Sequence, residues 1–94
     1  MRRNKVDPID ENHTRIINSA DTFSAVAFQP GFGQIHLISM DNMEGVRAYA
    51  EAVLNEVNRY RSIAIYGSVE ATGEVALCGT YNVFDKTWKP TKRA

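Results

Sequence analysis

The chain has one cysteine, Cys78, and so cannot form an internal disulfide. No apolar run approaches the roughly 18 residues of a membrane span. The N-terminal Met-Arg-Arg-Asn-Lys leads into acidic residues instead of the apolar core of a signal peptide. These absences argue against a disulfide-rich secreted domain and predict a cytoplasmic protein without a membrane segment.

Motifs for catalysis, metals and cofactors are also missing. His13 and His36 are far apart in the sequence, and Cys78 lacks a CxxC or HxxH companion, so we predict no metal site and no cofactor. A nucleophilic Cys78 would need a base such as His36 on a neighbouring strand, and a packed thiol is the simpler interpretation. We therefore predict that the protein is not an enzyme.

The 94 residues, 44% hydrophobic and 23% charged, are typical of one small globular domain. We predict a polar basic N-terminal segment at 1–12, in which Pro8 prevents regular structure, a single α+β domain at 13–85, and a basic tail at 86–94 that Pro90 keeps extended. Residues 14–18 fit a short edge strand or a single turn.

Two hairpins are predicted. Strands at 22–28 and 34–40 flank a type II turn in which Pro30 fixes φ and Gly31 takes a positive φ. This strand-to-strand setting makes Gly31-Phe32-Gly33 a turn, not a phosphate-binding loop. Strands at 62–70 and 74–84 flank a loop that ends in Gly73. Strict alternation in the second hairpin places Leu77 on the core face with Ile63 and Ile65.

An amphipathic helix lies between the hairpins. Asp41 and Glu44 have the spacing of an N-cap and its capping-box acid, and Arg47 and Glu51 form an i,i+4 pair. The apolar stripe consists of Met43, Val46, Tyr49, Ala50, Val53, Leu54, Val57 and Tyr60.

The resulting order is β-β-α-β-β. It predicts an α+β two-layer sandwich with an antiparallel sheet of four strands, or five if the N-terminal segment adds one. The far face of this sheet is expected to present Tyr66, Cys78 and Phe84. Such a face is apolar enough to need a cover, supplied by the N-terminal segment, a second copy or a partner.

Charge is segregated along the chain. Seven of the eleven cations lie in the two terminal segments, whereas residues 6–85 hold four arginines against all eleven acids, which leaves seven negative charges on the body. This asymmetry bears on partners and not on fold.

The leading prediction is a non-enzymatic protein–protein interaction module whose acidic body docks on a basic partner surface. The predicted contact residues are Glu44, Glu51, Glu70, Glu74 and Phe32. Small bacteriophage-encoded inhibitors of host machinery, anti-CRISPR proteins among them, are similar in size, class and charge; the likeness is of type, and no motif carries it. A homodimer through sheet faces or edge strands is compatible with this function.

Two alternatives stay open. The basic termini fit a small nucleic-acid-binding module, since cations neutralise phosphate and an indole stacks on bases. Its residues would be Arg2, Arg3, Lys5, Lys86, Trp88, Lys89, Lys92 and Arg93. The other alternative is a ligand binder or enzyme with a pocket between sheet and helix, to which Tyr49, Tyr60, Tyr66 and Tyr81 would supply hydroxyls.

Overall fold

The computed structural model describes residues 8–56 and 60–91, with the backbone alone for 8–11. Its elements are α1 (Pro8–Ser19), β1 (Thr22–Gln29), β2 (Gly33–Met40), α2 (Met43–Glu56), β3 (Ser62–Val69), β4 (Glu74–Asn82) and β5 (Lys89–Pro90). The strands form one antiparallel sheet in the order β2-β1-β3-β4-β5. The predicted α+β fold is confirmed, and α1 precedes it.

The first hairpin contains the turn that its sequence predicts. Gly31 has a φ of 88°, and the Phe32 amide donates a hydrogen bond to the Gln29 carbonyl at 2.9 Å. Both are features of the predicted type II turn. The two strands match their predicted bounds to within one residue at each end.

Helix α2 begins one residue later than predicted. The Gly45 amide donates to the Asn42 side-chain oxygen at 2.6 Å, so Asn42 and not Asp41 is the N-cap. The predicted pair of Arg47 and Glu51 is present at 3.8 Å. Val57, the predicted end of the apolar stripe before Tyr60, lies outside the described residues.

Both helices pack on the same face of the sheet, which we call the helix face. The strand residues buried there include Ala25, Ala27, Ile63, Ile65 and Tyr81, aligned with one another across β1, β3 and β4. Helix α2 covers this face with Val46, Ala50 and Leu54.

A β-bulge changes the predicted faces of β4. Ile65 pairs with Gly79, but Tyr66 pairs with Leu77, so Cys78 is an extra residue in the ladder. The bulge turns Cys78 into the core at 4% exposure and moves Leu77 to the other face with Tyr66. The predictions for Cys78 and Leu77 are therefore wrong, because alternation holds only where no residue is inserted.

The prediction that Pro8 prevents regular structure is also wrong. Proline is tolerated in the first turn of a helix, where its missing N–H needs no partner, and Pro8 is the first residue of α1. The helix also includes 14–18, for which a strand or a single turn was expected. It buries Ile16, and the His13 side chain forms a 2.7 Å hydrogen bond with the Leu77 carbonyl.

The opposite face, which we call the open face, has no element packed on it in the described chain. Helix α1 does not cover it, because α1 packs against β3 and β4 on the helix face, where Ala20 approaches Gly67. Tyr66 lies on the open face as predicted, and it is half-buried. No helix in the described part of the chain has the length and apolar composition to cross a membrane.

Residues 89–91 pair with the outer strand β4. Lys89 and Pro90 pair with Thr80 and Gly79 as β5, and the Thr91 amide donates to the Cys78 carbonyl at 2.9 Å. The outer strand β4 is thereby paired with a later part of the chain from Cys78 to Thr80. We call this side of the sheet the closed edge.

Candidate functional site

Three of the predicted contact residues lie at one end of the sheet. The β2–α2 link and the β3–β4 turn meet at this end, since Met40 pairs with Phe23 while Thr22 pairs with Ser68. We call it the acidic end. Its acids are Asp21, Asp41, Glu44, Glu70 and Glu74, and its described cation is Arg15.

This cation, Arg15, already forms an ion pair within the fold. Arg15 donates to Glu74 at 2.7 Å, and this hydrogen bond is the main reason that the pKa of Glu74 lies below its usual value. Asp21 accepts a hydrogen bond from the Glu70 amide at 3.1 Å and thereby fixes the start of the β3–β4 turn. Glu74 and Asp21 therefore have roles within the fold.

Besides Asp21, three acids of this end have no ion pair with any described residue: Asp41, Glu44 and Glu70. All three are exposed. Glu44 lies in the first turn of α2, where the positive end of the helix dipole favours a carboxylate. The acidic end thus presents to solvent three carboxyl side chains that form no ion pair with a described residue.

Glu51 has a different role from the one predicted. Its carboxylate accepts a hydrogen bond from the Tyr81 hydroxyl at 2.7 Å, and Arg47 donates to the same hydroxyl at 3.0 Å. Tyr81 is fully buried, so Arg47 and Glu51 satisfy the polar atom of a core residue. This makes Glu51 a residue that joins α2 to β4.

Phe32 lies at the opposite end of the sheet from Glu44, Glu70 and Glu74. It is 76% exposed in the β1–β2 turn, and Phe28 and Phe84, at 43% and 82%, lie at the same end. We call this the aromatic end. The five predicted contact residues therefore do not form one surface.

Trp88, the aromatic residue of the nucleic-acid hypothesis, packs against other residues of the fold. Trp88 lies 5.2 Å from the Tyr81 ring between centroids, and the Arg47 guanidinium lies 4.6 Å from the Trp88 ring centroid. Lys89 forms an ion pair with Asp85, while Lys86 is exposed. The remaining predicted residues, Arg2, Arg3, Lys5, Lys92 and Arg93, lie outside the described residues.

The histidine proposed as a base for Cys78 cannot approach it. Strands β1 and β3 separate β2 from β4, and His36 lies on the open face while Cys78 lies in the core. Burial raises the pKa of the Cys78 thiol, which disfavours the reactive thiolate. No group of three or more potential metal ligands occurs among the described residues.

The tyrosines proposed for a ligand pocket do not converge. Tyr81 is buried on the helix face, whereas Tyr66 lies on the open face. The cluster of Tyr81, Arg47, Glu51 and Trp88 was not predicted as a unit. Only the i,i+4 spacing of its two helical members was visible in the sequence.

No known protein family matches this chain, and neither does any curated protein or solved structure.

Proposed function

We propose that this protein is a non-enzymatic interaction module that docks its acidic end on a basic surface of a protein partner. The carrying observation is the exposure of Asp41, Glu44 and Glu70 without an ion pair among the described residues, beside an Arg15 that already binds Glu74. Exposed carboxylates on a rigid scaffold steer association with a basic surface and select against acidic ones.

The scaffold favours this function because each acid is attached to an ordered element. Glu44 is on α2, Asp41 immediately precedes its N-cap, and Glu70 follows β3 with its amide bound to Asp21. Little conformational freedom of the backbone is then lost on binding, which lowers the cost of association.

The biological setting stays a prediction from the sequence. We propose the cytoplasm, where a single reduced cysteine is ordinary. A phage-type inhibitor of host machinery, such as an anti-CRISPR protein, would use an acidic surface of this kind against a basic surface of its target.

The test compares two variants that lose the same charge at different places. One is Asp41→Asn, Glu44→Gln, Glu70→Gln at the acidic end. The matched control is Glu51→Gln, Glu56→Gln, Asp85→Asn elsewhere on the body. Partners captured by the immobilised full chain are identified by mass spectrometry, and their affinities for the three proteins are then measured from about 50 to about 500 mM salt.

The acidic-end variant should bind at least about tenfold more weakly at low salt and show a flatter salt dependence, while the control retains both properties. Equal losses in the two variants would mean that net charge alone acts. A partner bound equally well by all three proteins would contradict the proposal, as would capture of nucleic acid in place of a protein.

A further inference from the structure

The two edges of the sheet differ in how they are protected. The closed edge has β5 paired with β4 and the Trp88 ring packed against Tyr81. At the other edge, β2 pairs with β1 on one side, and no described strand pairs with its other side. Unpaired backbone groups of an edge strand can bind a further strand.

Strand β2 also lacks the side chains that usually prevent such pairing. Residues 22–40, which include β1 and β2, contain no Asp, Glu, Lys or Arg, and within β2 there is no proline. Natural edge strands are usually guarded by charges or proline. The one guard present is the bulge at Leu37, which leaves Gly33–His36 as an uninterrupted stretch.

The flank of α2 above β2 is uncharged from Gly45 to Ala52, and Glu56 follows one helical turn later. A Cβ at Gly45 would lie 2.9 Å from the Met40 sulfur, so the Gly45 side of α2 faces β2, whereas Arg47 reaches β4 on the other side. Tyr49 lies one helical turn after Gly45 on the β2 side and is half-buried, and Ala52 follows it and is exposed. The strand edge and the part of this flank from Gly45 to Ala52 together form one strip without charge.

We propose that β2 is the interface of a homodimer, in which two copies pair β2 with β2 in antiparallel fashion around a twofold axis. A twofold interface brings each residue close to its own counterpart, so any charge in β2 would meet a like charge. The uncharged strip avoids this repulsion. A second copy is therefore a better occupant than a partner strand selected by charge.

The charge distribution of the whole molecule favours the antiparallel arrangement. Reversal of the strand direction places the acidic end of one copy beside the aromatic end of the other, where Arg61 and Lys86 lie. Parallel pairing would bring the two acidic ends together. The two α2 helices would lie side by side above a continuous sheet, with Tyr49 and Ala52 between them.

Light scattering coupled to size exclusion tests the dimer with the full chain. The unmodified protein should have twice the 10.5 kDa mass of one chain at high concentration and dissociate on dilution. Gln34→Lys with His36→Lys adds cations at two exposed positions of β2 on the open face. Directly opposed residues of an antiparallel pair share a face, so these lysines would meet those of the second copy, and the variant should be monomeric.

The matched control is Thr22→Lys with Val75→Lys, which adds the same charge to the open face away from the β2 edge. It should remain dimeric, and circular dichroism verifies that both variants are folded. If the β2 variant does not fold, amide hydrogen exchange of the unmodified protein decides: protection of 33–40 should rise with concentration, and unchanged protection would overturn the proposal. A monomeric mass up to roughly 1 mM would also overturn it, as would a folded β2 variant that stays dimeric.

Discussion

The two edges of this sheet differ in whether another part of the chain pairs with the outer strand. At the closed edge, β4 is covered by β5, and Trp88 lies against Tyr81 with Arg47 over its ring. At the β2 edge, the strand is uncharged and uncovered within the described chain. The difference indicates that the closed edge serves stability within one chain, while the β2 edge is available for association.

Removal of the Trp88 ring, which packs at the closed edge, should have the largest effect on stability. We expect Trp88→Ala to lower the free energy of unfolding by about 2 to 3 kcal/mol, near the lower end for truncation of a large aromatic because Trp88 is only half-buried. Urea denaturation measures the loss. Phe84→Ala is the matched control, since Phe84 is 82% exposed and its loss should change stability by less than about 0.5 kcal/mol. Equal effects would show that the closed edge does not depend on Trp88.

Gly79→Ala should have the next largest effect. A Cβ at Gly79 would lie 2.5 Å from the Trp88 ring and 2.8 Å from the Lys89 carbonyl oxygen, so the C-terminal segment would have to move. Overpacking of this kind costs about 1 to 3 kcal/mol. In a double-mutant cycle with Trp88→Ala, the two losses should sum to more than the loss in the double variant. Strict additivity would contradict the contact.

The elements predicted from sequence are those whose signals are local. The Pro30-Gly31 turn sets the first hairpin, and the apolar stripe sets α2. The bulge at Cys78 could not be predicted, because alternation alone does not reveal an inserted residue. The docking of Trp88 depends on a glycine and a tyrosine that only the folded sheet brings beneath it.

In the candidate site, too, the sequence predicted what depends on composition and missed what depends on contacts between distant residues. Counting charges identified an acidic body, but it could not separate the acids without an ion pair among the described residues from those that hold the fold together. Glu74 is paired with Arg15 across 59 positions of sequence, and Glu51 binds the hydroxyl of Tyr81 on β4. Helix α1 was missed because Pro8 is compatible with both a break and a helix start.

A smaller effect is expected from Tyr81→Phe. Loss of the hydroxyl removes hydrogen bonds with Arg47 and Glu51, both of which are partly exposed and can be hydrated instead. We expect a loss of about 1 kcal/mol in urea denaturation. Tyr66→Phe is the control, since no hydrogen bond of its hydroxyl is present among the described residues, and it should be nearly neutral. A loss as large as that of Trp88→Ala would mean that Tyr81 contributes more than these hydrogen bonds.

The smallest effect is expected from alkaline pH, and it also distinguishes the two edges. Burial raises the pKa of Cys78 above its usual 9.0 and that of Tyr81 above its usual 10.0, and both residues lie on β4. The unfolded chain releases these protons at lower pH than the folded chain. Stability is therefore fully present below pH 9 and falls as the pH rises through 9 and 10.

Urea denaturation between about pH 7 and about pH 10.5 measures this decline. Cys78→Ala should remove the part that begins near pH 9 and leave the part near pH 10, and Tyr81→Phe should do the reverse. The β2 strand has no cysteine, tyrosine, lysine or arginine to titrate in this range. If both variants decline as the unmodified protein does, the alkaline sensitivity does not originate at the closed edge, and the two edges do not differ in this respect.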